Sequence, residues 1–169
     1  NRVWVADITF IAINRTWDYL AIILDLFSRK VVGMALSDHM RSSLILAALN
    51  QPLLLRRPPS GLIHHSDMGS QYTSNNLYEI AQTHGIKLSH GKTGCAYDNA
   101  AMESFFHTLK TEHVYFKKYK TLEEAKTDIF EYIFTFYNSK RRHSTLNYQS
   151  PNQWEYNHYK NQAISVPNV

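Results

Sequence analysis

The hydrophobic and polar positions change period along this chain, and each change marks an element. Residues 2–10 (Arg-Val-Trp-Val-Ala-Asp-Ile-Thr-Phe) alternate at period two and predict a strand, with Asp7 pointing opposite to Trp4, Ala6, Ile8 and Phe10. Asn14-Arg15-Thr16 reads as a turn. Residues 18–27 form a second strand that is apolar on both faces and therefore central. Ser28-Arg29-Lys30 turns the chain into a third strand, residues 31–37, completing an antiparallel meander. Residues 42–55 predict an amphipathic helix with Leu44, Ala47, Ala48 and Leu49 inward, stopped by Pro58-Pro59. A fourth strand follows at 61–66. Next comes a helix at 74–84, with Ser74 as N-cap and Gly85 closing its C-terminus, and a short fifth strand at 86–89. Residues 90–97 read as a loop, and Asp98 as the N-cap of a helix carrying Glu103. The last helix starts at Thr121 with a Glu124 capping box and runs to about Asn138. Residues 156–169 lose the periodicity and read as a weakly ordered tail. Three antiparallel strands followed by alternating strands and helices predict an α/β domain with a mixed five-stranded sheet flanked by helices.

Composition narrows the class. A chain of 169 residues with 44% hydrophobic positions holds one domain with a real core, placed here at residues 2–155 with the tail at 156–169. The net charge of +4 permits a polyanionic partner without requiring one. A single cysteine, Cys95, excludes an internal disulfide framework and, lacking a partner at metal-binding spacing, gives no zinc site. The longest apolar runs, Tyr19–Phe27 and Val31–Leu36, are too short to span a bilayer, and no signal peptide is visible. The abrupt start on a core strand suggests a domain cut from a longer protein.

Three acidic residues carry the chemistry. Asp7 sits within one apolar strand, Asp67 ends another, and Glu103 opens a helix, with 35 residues between the last two. Carboxylates in apolar sequence are costly to desolvate unless neutralised, and three that converge repel one another. A divalent cation resolves both problems, and paired hard cations about 3.5–4 Å apart clamp the attacking and leaving oxygens of a phosphodiester. On a helical wheel Met102, Phe105, Phe106 and Leu109 form a core stripe. Glu103, His107 and Lys110 share a second, accessible face, which points to Glu103 on metal, Lys110 on phosphate and His107 toward the same substrate. An ordinary solvated face with fortuitous charges is the bland alternative.

The phrases Trp4-Val-Ala-Asp7-Ile-Thr, Leu24-Asp-Leu-Phe-Ser28-Arg29-Lys30-Val-Val-Gly33, His64-His-Ser-Asp67-Met-Gly69-Ser70-Gln71-Tyr72, Asp98-Asn99-Ala-Ala-Met-Glu103-Ser104, Leu109-Lys110 and Tyr137-Asn138-Ser-Lys-Arg141-Arg142-His143 follow one another in this order. Together they resemble the catalytic core of the DDE transposase and retroviral integrase superfamily. They are most similar to OrfB-type insertion-sequence transposases of the IS-three group, over residues 2 to about 155. The resemblance implies a ribonuclease H-like fold. It implies that Asp7, Asp67 and Glu103 bind two Mg²⁺ or Mn²⁺ ions, with Asp7 bridging them, and that Lys110 contacts element-end DNA. It also implies hydrolysis at an element end followed by attack of the freed 3′-OH on target DNA. An active homodimer or higher oligomer and a bacterial cytoplasmic, nucleoid-associated setting follow by the same route. Full-length members carry an upstream helix-turn-helix region, and none is seen in this chain.

Other polar residues have two readings each. Asp25 caps the Ser28-Arg29 turn or pairs with Arg29. At least one of His64 and His65 is a packed strand residue. Gln71 and Tyr72 contact DNA or begin the next helix. Asn138, Lys140, Arg141, Arg142 and His143 cluster at a helix end, either neutralising DNA phosphates or complementing the helix dipole; the resemblance favours DNA. Ile129, Ile133 and Phe136, together with Phe130, Phe134 and Tyr137, make the last helix apolar on more than one side, as a partner interface would be. Two alternatives lie outside transposition: a ribonuclease H-like nuclease, and a non-catalytic domesticated DNA-binding module.

Overall fold

A computed structural model describes residues 2–91 and 100–164. Its sheet has five strands: β1 (Val3–Ile13), β2 (Thr16–Asp25), β3 (Val31–Ser37), β4 (Ile63–Ser66) and β5 (Lys87–His90), in the order β3-β2-β1-β4-β5. The first three form the predicted antiparallel meander, while β4 and β5 pair parallel beside β1. Asn14 and Arg15 both take positive φ between the paired Ile13 and Thr16, the conformation of a two-residue type I′ hairpin. Strand β2 starts and ends two residues earlier than its hydrophobicity indicates. The carboxylate of Asp25 accepts the Phe27 N–H at 3.0 Å, and this local bond ends the strand. Asp25 thus caps the turn as expected, and the Arg56 guanidinium stands 4.0 Å from its other oxygen.

Both faces of the sheet are covered, so its strands read as apolar runs. On one face Trp4, Ala6, Ala21 and Ile23 pack against α1 (Ser42–Arg56) and α2 (Asn75–Thr83). Ile45 rather than Ala47 completes the buried stripe of α1, and Ala47 faces solvent. A Cβ on Gly33 would stand 2.1 Å from the Ala48 carbonyl oxygen, so the bare glycine lets α1 lie directly on β3. Helix α2 is capped at Ser74, whose Oγ accepts the Leu77 N–H. It closes in a Schellman motif, with Gly85 at φ +64° and Ile86 N–H bonded to the Ala81 carbonyl at 2.7 Å.

On the other face Val5, Ile11, Ile22 and Leu24 pack against α3 (Ala100–Glu112) and α4 (Leu122–Glu131). Thr121 caps α4 by accepting the Glu124 N–H, while Glu124 reaches back to the Lys120 N–H, one residue earlier than in a standard capping box. The helix continues to Tyr137 as a π segment, Tyr132–Tyr137. Ile129, Ile133 and Tyr137 are all buried. A repeat of four drifts about 40° per step on an α-helix turning 100° per residue, and the wider π turns absorb that drift. Phe130 and Phe136 stay partly exposed.

The expected boundary between residues 155 and 156 falls inside a helix, α5 (Pro151–Ile164). Ser150 Oγ accepts the Gln153 N–H at the start of this helix, and Glu155 anchors it to the β2–β3 turn through Ser28 and Lys30 and to the end of α1 through Arg56. Residues 156–164 lack an apolar repeat because the helix is held by these polar contacts, which hydropathy does not register. Cys95, Asp98 and most of the 90–97 loop lie outside the described residues.

Candidate active site

Strand register brings two of the acids together. Val3, Trp4 and Val5 pair with Ile63, His64 and His65 in parallel, and Asp7 and Asp67 each lie two residues beyond Val5 and His65. Equivalent positions on parallel neighbours point to the same face, on strands about 4.8 Å apart. For Asp7 this is the face of Val5, which α3 covers through Met102, Phe105, Phe106 and Leu109. The site therefore forms where β4 ends, at the carboxyl end of the parallel strands.

Local bonds orient the pair. Asp7 is half-buried, and one of its oxygens accepts the Ile8 N–H at 2.7 Å. Asp67 is exposed and accepts the Gly69 N–H at 3.0 Å, which starts a 3₁₀ turn, Ser70–Tyr72. Ser66 Oγ donates to the Asp67 carbonyl at 3.0 Å, and His90 Nδ1 lies 3.2 Å from the same oxygen. His90 ends β5 and pairs with Ser66, the last residue of β4, one position before Asp67. The sequence marked Asp67 by its charge but gave no reason to look for His90 until the Ser66–His90 register was known.

Tyr72, expected as a possible DNA contact, is fully buried, with its side chain closed off from the surface. It lies instead under the carboxylates. Burial pushes its hydroxyl well above the usual phenol range, and the negative charges of Asp7 and Asp67 push it further. Both acids thus act on one buried group. His64, 6.4 Å from the Tyr72 ring, is also fully buried, and burial first, with His90 and His65 adding, lowers its pKa to about 4. This is the packed strand histidine the sequence called for. Gln71 remains partly accessible beside Asp67.

Glu103 occupies the first turn of α3, where a negative charge is favoured by the helix dipole, and is exposed beside the buried Met102. His107 is exposed and Lys110 partly so on the same side. Burial lowers the Lys110 pKa, and among the described residues it has no ion-pair partner. Also among the described residues, no three His, Cys, Asp or Glu side chains are gathered closely enough to hold a metal ion. The chemistry of the donors nonetheless fits a hard divalent cation: all three are carboxylates, and two are aligned by register.

The basic run divides into structural and available residues. Asn138 is buried and brackets Val31, accepting its N–H and donating to its carbonyl, so it ties the π segment to β3 rather than reaching DNA. Arg141 makes a two-pronged bond to Glu112 at 2.8 and 2.6 Å and is committed to that partner. Burial first, with Arg141 and Arg29 adding, lowers the His143 pKa to about 4, which leaves it uncharged at neutral pH. Lys140 and Arg142 are exposed. Arg142 lines a cleft of 480 Å³ with Arg29, Ser104 and Thr108, next to Glu103 on α3. Arg29 is a cation of this cleft that sequence reading placed only in a turn.

An Integrase core domain model matches residues 1–96, and a second model of the same description matches residues 84–151. The chain belongs to the integrase core domain family. It is 43% identical over 155 residues to the transposase for insertion sequence element IS904 of Lactococcus lactis subsp. lactis (strain IL1403), covering 92% of this chain and 61% of that protein. It is 39% identical over 155 residues to transposase InsF for insertion sequence IS3A of Escherichia coli (strain K12), covering 92% of this chain and 54% of that protein. This integrase core therefore spans only a little over half the length of these relatives. Among solved structures, the HTLV-2 integrase catalytic core domain in complex with magnesium (trimeric form) superimposes with a TM-score of 0.69 at 18% identity. That match covers 90% of this chain and 95% of the other. The simian T-cell lymphotropic virus intasome gives a TM-score of 0.76 at 17% identity over 100% of this chain and 56% of that one. These likenesses place the integrase core in the ribonuclease H-like fold. No helix among the described residues is long and apolar enough to cross a membrane.

Proposed function

We propose that this domain is the catalytic core of an insertion-sequence DNA transposase, cutting element-end DNA and joining the freed 3′-OH to target DNA. The observation that supports the reading is the β1–β4 register, from which Asp7 and Asp67 each follow a paired residue by two positions, with Glu103 in the first turn of the helix that packs on the Val5 face. The two transposase relatives, at 43% and 39% identity, support DNA as the substrate.

Asp7, Asp67 and Glu103 are the residues that would hold two divalent cations, Mg²⁺ or Mn²⁺. The chemistry such ions supply when bound is a lowered pKa for the attacking water or 3′-OH and stabilised charge on the leaving oxygen. The remaining work is positioning and charge neutralisation by the protein. Lys110 and Arg142 face phosphates on either side of Glu103, and His107 and Gln71 border the path. Tyr72 and His64 form an uncharged buried floor that keeps the backbone around Asp67 fixed. Solved relatives of this fold in dimeric and trimeric forms support an active dimer or higher oligomer. The insertion-sequence relatives support a bacterial cytoplasmic setting.

The test is cleavage and strand transfer on duplexes carrying the ends of the encoding element. Asp7→Asn, Asp67→Asn and Glu103→Gln should each lose at least about a hundredfold in rate, since each removes charge stabilisation worth several kcal/mol, while circular dichroism shows an intact fold. A variant with full activity would remove its residue from the site.

A further inference from the structure

Strand β1 outruns its parallel neighbour: it pairs with β4 through Val3–Val5 and next meets Tyr119 at Ile13, so among the described residues no strand pairs with that edge between Asp7 and Ala12. Beside it three aromatic rings gather on the β1–β2 hairpin. Phe10 lies 5.2 Å from Tyr19 and 6.5 Å from Trp17, ring centre to ring centre. Trp17 is 62% exposed and Phe10 49% exposed. With Lys110 of α3 they line one open cavity. The pairing of rings with an ammonium that has no ion-pair partner among the described residues calls for a ligand that is flat and apolar in one part and anionic in the next. An unpaired nucleotide has that chemistry: bases stack on aromatic faces whatever their identity, and the adjoining phosphate meets the cation.

The distances agree with such a ligand. Phe10 is three strand residues from Asp7, roughly 10 Å at 3.3 Å per residue. Lys110 is two helical turns from Glu103, also roughly 10 Å at 1.5 Å per residue. That is about three base steps at the 3.4 Å spacing of duplex DNA and fewer in an extended strand. Asp7 and Phe10 point to opposite faces, so a strand reaching the rings from the carboxylates crosses the edge of β1 between Asp7 and Ala12, where no strand pairs among the described residues. A duplex keeps its bases stacked on one another and has none to offer.

We infer that Phe10, Trp17 and Tyr19 form a stacking shelf for an unpaired base near the reacting end of the DNA, with Lys110 on its phosphate. This rests on the transposase reading and adds that the end is held unpaired. Burial lowers the Lys110 pKa, and an anion placed there would offset that penalty by favouring the charged ammonium.

The test uses the 169-residue chain and element-end duplexes with 2-aminopurine at each of the four terminal positions, read by fluorescence without divalent metal. Stacking on the shelf quenches the probe at one or two positions. Trp17→Ala and Phe10→Ala should remove that quenching and weaken binding about tenfold to an end with unpaired bases, but not to blunt duplex. Lys110→Gln should lower the salt slope of binding by about one. Normal cleavage by the wild type with no position quenched overturns the shelf and leaves the transposase reading standing. Absence of both DNA binding and cleavage overturns both. A Trp17→Ala change in sedimentation with quenching intact assigns the rings to a second copy of the chain and also overturns the shelf.

Discussion

Replacing Glu155 by alanine tests whether the fold extends through α5. Its carboxylate is buried and bonds to Ser28 Oγ, Lys30 and Arg56, with Asp25 also within reach of Arg56. Removing one partner of a buried ion pair costs about 3–5 kcal/mol. Lys30 is 26% and Arg56 15% exposed, so water recovers part of that loss. The Lys30 contact alone is worth about 0–1 kcal/mol, while the orphaned Ser28 hydroxyl adds about 1–3. A total near 3 kcal/mol is expected. With a urea slope of about 2 kcal/mol per M, the unfolding midpoint falls by about 1.5 M. Glu155→Gln keeps the shape and one acceptor and should lose about half as much. A second signature is pH dependence. Burial raises the carboxyl pKa, but the Arg56 bond and the charges of Arg56 and Lys30 outweigh it and hold the group below its usual range. A group with a depressed folded pKa stabilises above its unfolded value and loses that contribution as pH falls through the folded one. The difference between wild type and Glu155→Gln should therefore shrink as pH is lowered below about 4.5. A midpoint shift under about 0.3 M for Glu155→Ala would refute the anchoring role and return the boundary to residue 155.

Four further outcomes follow from particular residues. Gly33→Ala drives a methyl against the Ala48 carbonyl oxygen and should cost about 1–3 kcal/mol by denaturant titration, without changing DNA contacts. Arg141→Ala should lower stability by about 0.5–1 kcal/mol, because its partner Glu112 is partly solvated. Arg142→Ala should leave stability unchanged and reduce the salt slope of DNA binding by about one. With a pKa near 4, His143 should show no NMR-detected titration between pH 6 and 8, so it gives DNA affinity no pH dependence in that range.

The strands, their order of appearance and the helix-bearing acid were readable because each depends on local periodicity. Asp7 and Asp67 stood out as charges in apolar runs, and the register of β1 and β4 gives a geometric reason for that pattern. What sequence could not supply was competition for a side chain. Tyr72 and Asn138 carry groups suited to DNA, yet one is fully buried and the other is spent on the Val31 backbone. Arg141 is a cation by sequence and half of an ion pair in the fold. Helix α5 was missed for a related reason, since Glu155 fastens it by charge where periodicity looks for apolar residues. Trp17, between the expected turn and the expected strand, carried no signal because only the fold sets it beside Phe10 and Lys110.

The most direct measurement of the central claim is calorimetric titration of Mn²⁺ into the wild-type chain and into Asp67→Asn, each with element-end DNA bound. The account predicts two ions per wild-type active site and loss of at least one in the variant. Identical isotherms for the two proteins would contradict the carboxylate assignment.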